Sequence, residues 1–239
     1  MILTNIGQVT LLSVSFLFLF TAFNTCQNFS SSVLKQDGFD NLGFTSVAVL
    51  YLFFGIFSFF SSAIVNKIGT INISMSLGAM CYTFWIVCFL LPSFYADLSD
   101  TDKENPPWFL SKNLITVMLL LTAAINGAGA GILWTAQGKF ISECACAENK
   151  GFFNSYFWAI FMASQVSGNL IGGLVLKYGG KKTTLFLIFS CLAIAGSFMM
   201  CFLRMPKSIV KASGNDSNKL NPSTASDGHR IVTSEASND

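Results

Sequence analysis

The sequence alternates between six long uncharged apolar stretches and shorter polar segments that hold all of its acidic and basic residues. About 20 apolar residues at 1.5 Å rise cross the hydrocarbon core of a bilayer, so uncharged stretches of this length are typical of spanning helices. None of the five prolines falls inside these stretches, so no proline kink is expected. The pattern predicts an all-α membrane protein with six transmembrane helices, at residues 6–28, 44–65, 71–91, 113–138, 152–176 and 183–203.

Two other interpretations of the apolar pattern are disfavoured. The buried helices of a large soluble protein are usually shorter and keep a polar face, whereas residues 11–23 and 47–60 are apolar around most of their circumference. A cleaved signal peptide would begin with a basic segment and carry an apolar core of about 7–15 residues. The first stretch is longer and has no such basic start, so we expect a retained helix.

Composition agrees with a membrane protein. Charged residues make up only 11% of the chain and hydrophobic residues 52%, whereas an ordinary soluble domain is about a quarter charged. A net charge of +2 spread over the connections does not favour nucleic acid as a partner; the expected partner is the lipid bilayer. We predict a transmembrane domain at 1–203 and a disordered polar tail at 204–239, since the tail is rich in Ser, Asn and Asp and lacks apolar periodicity.

Short internal similarities indicate a duplicated unit of three helices. Residues 65–69 (VNKIG), after the second stretch, resemble residues 175–179 (VLKYG) after the fifth, and Thr21-Ala22 in the first matches Thr135-Ala136 in the fourth. Two related units with an odd number of spans must insert in opposite orientations, as in many secondary transporters. The sequence therefore predicts a 3+3 inverted repeat.

The chain lacks the side chains that most membrane enzymes need. Its only histidine is His229, in the polar tail, so neither paired histidine ligands nor a histidine base can be assembled among the helices. Cys144 and Cys146 have a C-x-C spacing that suits half of a metal site, but the sequence shows no second pair or nearby histidine, and an ordinary loop is the favoured alternative. We predict no enzymatic activity, no cofactor and no metal.

The predicted helices do contain neutral amides. An amide in hydrocarbon is costly unless it is hydrogen-bonded, so it is expected to face the helix bundle or a wet cavity. Bonding between helices, worth about 0.6 kcal/mol on average, is the favoured role, and contact with a substrate is the alternative. The candidates for lining a substrate site are Asn24, Gln27, Asn126, Gln165 and Asn169.

Glycines are spaced four residues apart in the fourth and fifth stretches. Gly127 with Gly131, and Gly168 with Gly172, each form a small-xxx-small pair. Such pairs let helix backbones approach closely in membranes. These four glycines are predicted to be helix-packing positions.

Four segments resemble one known family. They are residues 18–28 (FLFTAFNTCQN), 43–46 (GFTS), 133–138 (LWTAQG) and 157–160 (FWAI), the last followed by Ser164-Gln165 and Gly168-Asn169. In this order they resemble Unc-93-like proteins, a branch of the major facilitator superfamily. The resemblance implies half of a major-facilitator-type bundle, with the N-terminus and the polar tail in the cytosol, in the plasma membrane or an endomembrane.

What the resemblance implies about function is not catalytic. Unc-93-like proteins are described as potassium-channel subunits and receptor-trafficking chaperones, and also as transporter-like. The predicted function is therefore a regulatory or trafficking partner of a channel or receptor; the alternative is a small-solute or ion transporter. Residues 66–69 (NKIG) lack most of the charged residues that facilitators carry between the second and third helices, which disfavours coupled transport.

Facilitator folds have two six-helix halves, and this sequence covers one of them. Two arrangements are compatible with that length. The chain is either the first part of a longer protein, or a half-sized protein that pairs with a second six-helix half. In both cases a second six-helix half is an expected partner.

Overall fold

The computed structural model describes the backbone of residues 2–204 and the side chains of residues 5–204. The disordered tail predicted at 204–239 therefore lies, from residue 205 on, outside the described residues. Within the described part the fold is all-α, with one short 3₁₀ turn at Trp108–Leu110. Its helices are α1 (Ile2–Gln36), α2 (Leu42–Ile68), α3 (Ile71–Cys88), α4 (Leu90–Ala96), α5 (Asp100–Glu104), α6 (Lys112–Cys144), α7 (Lys150–Lys177) and α8 (Lys182–Met200).

Six segments of the described chain are long and apolar enough to cross a membrane, and they coincide with the six predicted stretches. The spans are α1, α2, the α3–α4 pair, α6, α7 and α8. Several helices extend further than predicted, most of all α1, which continues to Gln36, and α6, which continues to Cys144. Apolar residues mark only the part of a helix that lies in hydrocarbon, whereas backbone hydrogen bonding continues where the side chains become polar.

The expectation that no proline falls inside a helix is wrong at Pro92. This residue lies in the first turn of α4, and the third span is interrupted one turn earlier, at Phe89. Proline has no N–H to donate, and its ring crowds the carbonyl four residues before it, here that of Cys88. At the break, the Phe89 N–H donates at 3.1 Å to the carbonyl oxygen of Ile86, which is three residues earlier rather than the four of a regular α-helix.

The ends of α2 and α7 show the predicted repeat in backbone geometry. Each helix is followed by a glycine with positive φ, +74° at Gly69 and +75° at Gly179. Glycine takes this left-handed conformation without the steric cost that a Cβ would bring, and it commonly ends helices. The two segments that are similar in sequence therefore end their helices in the same way.

Helix packing follows the same repeat. The main contacts pair α1 with α7 and α8, α6 with α2 and α3, and α3 with α8. Exchanging α1 with α6, α2 with α7 and α3 with α8 leaves this set of contacts unchanged. Thr83 and Ser197 are 114 residues apart, like Thr21 and Thr135, and their hydroxyls lie 2.7 Å from each other across the α3–α8 contact. The predicted 3+3 inverted repeat is confirmed.

Close approach of α6 to α2 takes place at the first glycine pair. An added Cβ at Gly127 would lie 2.8 Å from Phe53 Cβ and would overlap the Leu50 carbonyl oxygen. One turn further along α6, a Cβ at Gly131 would lie 3.3 Å from Ser58 N. Side chains at these positions would hold the two backbones apart.

The second glycine pair lies where α7 meets α1. A Cβ added at Gly168 would lie 2.5 Å from the Thr21 carbonyl oxygen and would overlap Thr25 Oγ1. A Cβ at Gly172 would lie 3.0 Å from Phe29 Cε2. The α2–α6 and α1–α7 contacts, which are equivalent in the repeat, are thus both built on glycine.

Charged side chains outside the apolar stretches connect the helices at one end of the bundle. Lys182, at the start of α8, lies 2.5 Å from Asp37 in the turn after α1, and the Asp37 side chain is only 6% exposed. Lys112 Nζ, at the start of α6, donates to the Gly38 carbonyl oxygen at 3.2 Å. The α1–α2 turn is therefore fixed to the first turns of two other spans.

Alanine at Gly127 or Gly168 is expected to destabilise the bundle. The Cβ has no room at either position, and overpacking typically costs about 1–3 kcal/mol. Gly138→Ala on α6 and Gly173→Ala on α7 are matched controls, because a Cβ at these glycines has no neighbour within 4 Å. Thermal unfolding in mild detergent measures the effect, and equal melting temperatures within each pair would contradict the packing role.

Candidate functional site

A cavity of about 290 Å³ opens between α1, α2, α6 and α7, with one residue of α3 in its wall. Eight of its ten lining residues are aromatic and none is charged. We call it the aromatic cavity. Its lining residues are Phe20, Phe23, Asn24, Leu50, Tyr51, Phe54, Tyr82, Trp134, Trp158 and Phe161.

The aromatic wall is held in place by ring packing between different helices. Phe23 and Tyr82 have centroids 4.7 Å apart in an edge-to-face arrangement, and Trp134 stacks on Trp158 at 5.9 Å. The Trp134 indole N–H donates to the Tyr82 hydroxyl at 3.3 Å. Such aromatic pairs add about 0.5–1.5 kcal/mol each beyond area burial, so the cavity has a defined shape within this half.

A stripe of amides on α1 begins at the cavity and continues along the helix beyond it. Asn24, Gln27 and Asn28 follow i, i+3, i+4 spacing, so they share one face of the helix. We call these three residues the α1 amide stripe. Their partners lie on the two flanking helices: Asn24 Nδ2 donates to Ser164 Oγ at 3.3 Å, Gln27 Nε2 to Tyr51 OH at 3.0 Å, and Asn28 Nδ2 to Asn169 Oδ1 at 3.3 Å.

The five candidate amides of the sequence lie in different environments. Asn24, Gln27 and Asn169 belong to the bonds around the α1 amide stripe, and of the five only Asn24 lines the aromatic cavity. Gln165 is exposed on α7. Asn126 is completely buried, away from the cavity lining, and neither atom of its amide has a hydrogen-bond partner.

Several side chains of the candidate site were not predicted from the sequence. Asn28 belongs to the stripe and could have been found from its spacing to Asn24. Tyr51 and Ser164 have no sequence signal that marks them, because their roles come from the helices on which they face α1. The aromatic residues of the cavity are likewise scattered over five helices in a chain with 25 phenylalanines.

A larger cavity, of about 500 Å³, lies at the α2–α3 turn beside the end of α6. Its lining includes charged Lys139 and Glu143, and Lys139 Nζ donates to Asn66 Oδ1 at 2.5 Å. Asn66 belongs to the NKIG segment, where facilitators carry more charge. This contact connects the two repeats at their polar end.

The C-x-C pair does not gather further metal ligands. Cys144 is buried at the end of α6, and its carbonyl oxygen accepts a hydrogen bond from Asn5 Nδ2 at 2.9 Å. Among the residues that the structure describes, no three His, Cys, Asp or Glu side chains are grouped so that they could hold a metal ion.

Of the six spans, α2 and α7, on either side of the cavity, are the least covered by the rest of the protein. Only 11% of the most apolar part of α2 and 22% of that of α7 is buried, against 44–56% in the other four spans. We call their exposed sides next to the cavity the α2–α7 face. It is formed by Tyr51, Gly55, Ser58 and Ser62 on α2 and by Trp158, Met162, Gln165 and Asn169 on α7.

Comparison with known proteins identifies the family. The family model described as "Ion channel regulatory protein UNC-93" matches residues 36–98 and 108–235, which is most of the chain. The chain belongs to the UNC-93 family. The resemblance to Unc-93-like proteins is thereby confirmed, and the matched residues include the motifs at 43–46, 133–138 and 157–160 but not the one at 18–28. Members of this family are membrane proteins rather than a known class of enzyme.

Curated UNC-93 relatives are similar over most of this chain. UNC93-like protein MFSD11 of Xenopus tropicalis is 28% identical over 216 residues, covering 84% of this chain and 42% of the relative. UNC93-like protein 3 of Arabidopsis thaliana is 30% identical over 82% of this chain and 40% of its own length. Protein unc-93 homolog A of Xenopus laevis is 33% identical over 72% of this chain and 34% of its own. The matched part of the chain thus spans about a third to two fifths of these relatives.

A solved structure shares the fold. The crystal structure of a D-xylose-proton symporter superposes with a TM-score of 0.61, covering 93% of this chain and 54% of the symporter, at 15% sequence identity. This similarity concerns the fold alone. The UNC-93 chain is an integral membrane protein with six spans, and it has the architecture of half a facilitator.

Replacing Asn126 with leucine is expected to stabilise the protein. A buried amide without partners costs about 1–3 kcal/mol in lost hydration, and an apolar side chain of similar size removes that cost. Asn24→Leu is the comparison, because it breaks an existing bond to Ser164 and should lower the melting temperature. A clear loss of stability in Asn126→Leu would show that its amide is paired in the membrane.

Proposed function

We propose that this chain is the six-helix part of a non-catalytic subunit that regulates or traffics an ion channel or receptor. The observation that carries the proposal is the absence of charge from the aromatic cavity, together with the regulatory description of the family. Asp, Glu or His chains usually carry protons in membrane pumps and transporters. Within the described residues, neither the cavity lining nor the six apolar stretches contain such a residue.

The proposed subunit includes a second membrane-embedded body that covers the α2–α7 face. Exposed amides such as Gln165 and Asn169 are costly in contact with lipid, whereas small residues such as Gly55 and Ser58 allow another helix to approach closely. Relatives are more than twice as long as the matched segment. The body proposed here is therefore a second six-helix half, in the same polypeptide or in another.

The orientation belongs to the same proposal. Six spans return the chain to the side from which it started, so residues 2 and 204 lie on one side of the membrane. We place that side in the cytosol, in the plasma membrane or an endomembrane, because the N-terminal motifs resemble those of Unc-93-like proteins. A channel or receptor partner would then meet the subunit within the bilayer.

Native co-purification tests the regulatory role. The tagged full-length protein, extracted from its own membranes in mild detergent, is expected to bring down a channel or receptor in a fixed ratio. Co-expression with that partner should change its current or its amount at the cell surface. Repeated recovery of the protein alone, combined with solute flux in reconstituted vesicles, would contradict the proposal and favour the transporter alternative.

Gly55→Leu tests whether a second body covers the α2–α7 face. No atom lies within 4 Å of a Cβ at Gly55, so leucine should leave the six-helix unit folded while blocking a partner helix. Gly7→Leu is the control: its Cβ is also free of neighbours, and it lies about 25 Å along α1 from Asn24. The expected result is loss of the second half or partner only in Gly55→Leu, and equal recovery in both variants would contradict this arrangement.

A further inference from the structure

We infer that the aromatic cavity binds a small organic cation of the quaternary ammonium type. The inference goes beyond the proposed regulatory role and does not depend on it. It comes from three properties of the cavity lining taken together: the number of aromatic rings, the amide oxygen beside them, and the absence of fixed charge.

The rings supply the attraction. Quaternary ammonium groups are recognised by aromatic side chains, whose faces are negative, and tryptophan is the most effective of these. The cavity wall holds Trp134, Trp158, Tyr51 and Tyr82 in addition to four phenylalanines. Trp158 and Tyr51 remain 39% and 48% exposed, so their rings are accessible to a ligand.

The polar groups of the cavity include an acceptor. One N–H of the Asn24 amide donates to Ser164 Oγ, and the Trp134 indole N–H donates to the Tyr82 hydroxyl. Within the described part of the chain no donor bonds to the Asn24 carbonyl oxygen, so it remains as a hydrogen-bond acceptor beside the rings. Ring faces and this carbonyl oxygen both present negative potential, which favours a positively charged ligand.

Lack of fixed charge selects among cations. Hard metal ions need several oxygen ligands to replace their water, and the lining offers few oxygens and no carboxylate. A quaternary ammonium ion spreads its charge over alkyl groups and needs no oxygen ligands at all. At about 290 Å³ the cavity is at the small end of the usual range of about 300–1,000 Å³ for ligand pockets, which suits an ion the size of choline.

Choline and its uncharged analogue 3,3-dimethyl-1-butanol provide the test, because they have the same shape and differ in charge. Binding to the purified chain in phosphatidylglycerol nanodiscs can be followed by saturation-transfer NMR. Choline is expected to bind saturably and on the order of tenfold more tightly than the alcohol. Equal affinity for both would show a merely apolar pocket and overturn the inference, as would the absence of saturable choline binding.

Substitutions locate the binding. Trp158→Leu should weaken choline binding on the order of tenfold, whereas Trp158→Phe, which keeps a ring, should have a smaller effect. Trp108→Leu is the control, because Trp108 is 81% exposed and lies outside the cavity. If Trp108→Leu weakens binding as much, or if a folded Trp158→Phe and the wild type both bind no choline, the assignment is wrong.

Two natural sources share this chemistry, a free quaternary ammonium compound and the headgroup of phosphatidylcholine. Repeating the titration in phosphatidylcholine nanodiscs separates them. Loss of free choline binding there identifies the lipid headgroup as the occupant, and unchanged binding identifies a free compound. Neither result concerns channel association, so the cavity and the regulatory proposal are tested separately.

Discussion

A polar group that the six spans carry into hydrocarbon is costly unless it finds a partner inside the protein, and the rest of the structure depends on this constraint, to which the unpaired amide of Asn126 is an exception. Charged side chains satisfy it by staying outside the apolar stretches, where pairs such as Asp37–Lys182 connect the ends of the helices. The amides of α1 satisfy it by bonding across to α2 and α7. Backbone groups satisfy it within the helices, and glycine then allows these helices to pack at short distance.

The backbone repeat is symmetric, but the chemistry placed on it is not. α1 and α6 occupy equivalent positions, each packed on two neighbours. The two repeats are offset by 114 residues. At that offset the three members of the α1 amide stripe are replaced on α6 by Gly138, Ile141 and Ser142, so α6 has no such stripe. α6 contributes Trp134 instead, equivalent to Phe20, and these two rings meet at 5.3 Å in the cavity wall. The duplicated scaffold thus places aromatic rings of both α1 and α6 in the cavity wall, whereas the amides lie on α1 alone of these two equivalent faces.

The uncharged cavity connects the fold to the proposed biology. The cavity lining contains no Asp, Glu, His, Lys or Arg, so this half of the facilitator-type fold does not place there the side chains that usually carry protons in transporters. The same helices that enclose the cavity expose the α2–α7 face, so a ligand in the cavity would lie directly beside any second body that docks there. Occupancy of the cavity and assembly of the protein would then involve the same surface.

The sequence by itself determined the number, order and approximate limits of the spans, because exclusion of charge from hydrocarbon is a local property of each segment. It also indicated the repeat, whose glycine-ended helices the structure confirms. It did not determine the break at Phe89. Pro92 lies just past the apolar stretch, and it interrupts the helix one turn earlier in the chain. Nor could the sequence separate Asn24 from Asn126, which are the same residue type in similar apolar surroundings. Tertiary structure alone decided that one lines a cavity and the other is buried without a partner, because hydrogen bonding between helices depends on which faces meet in space.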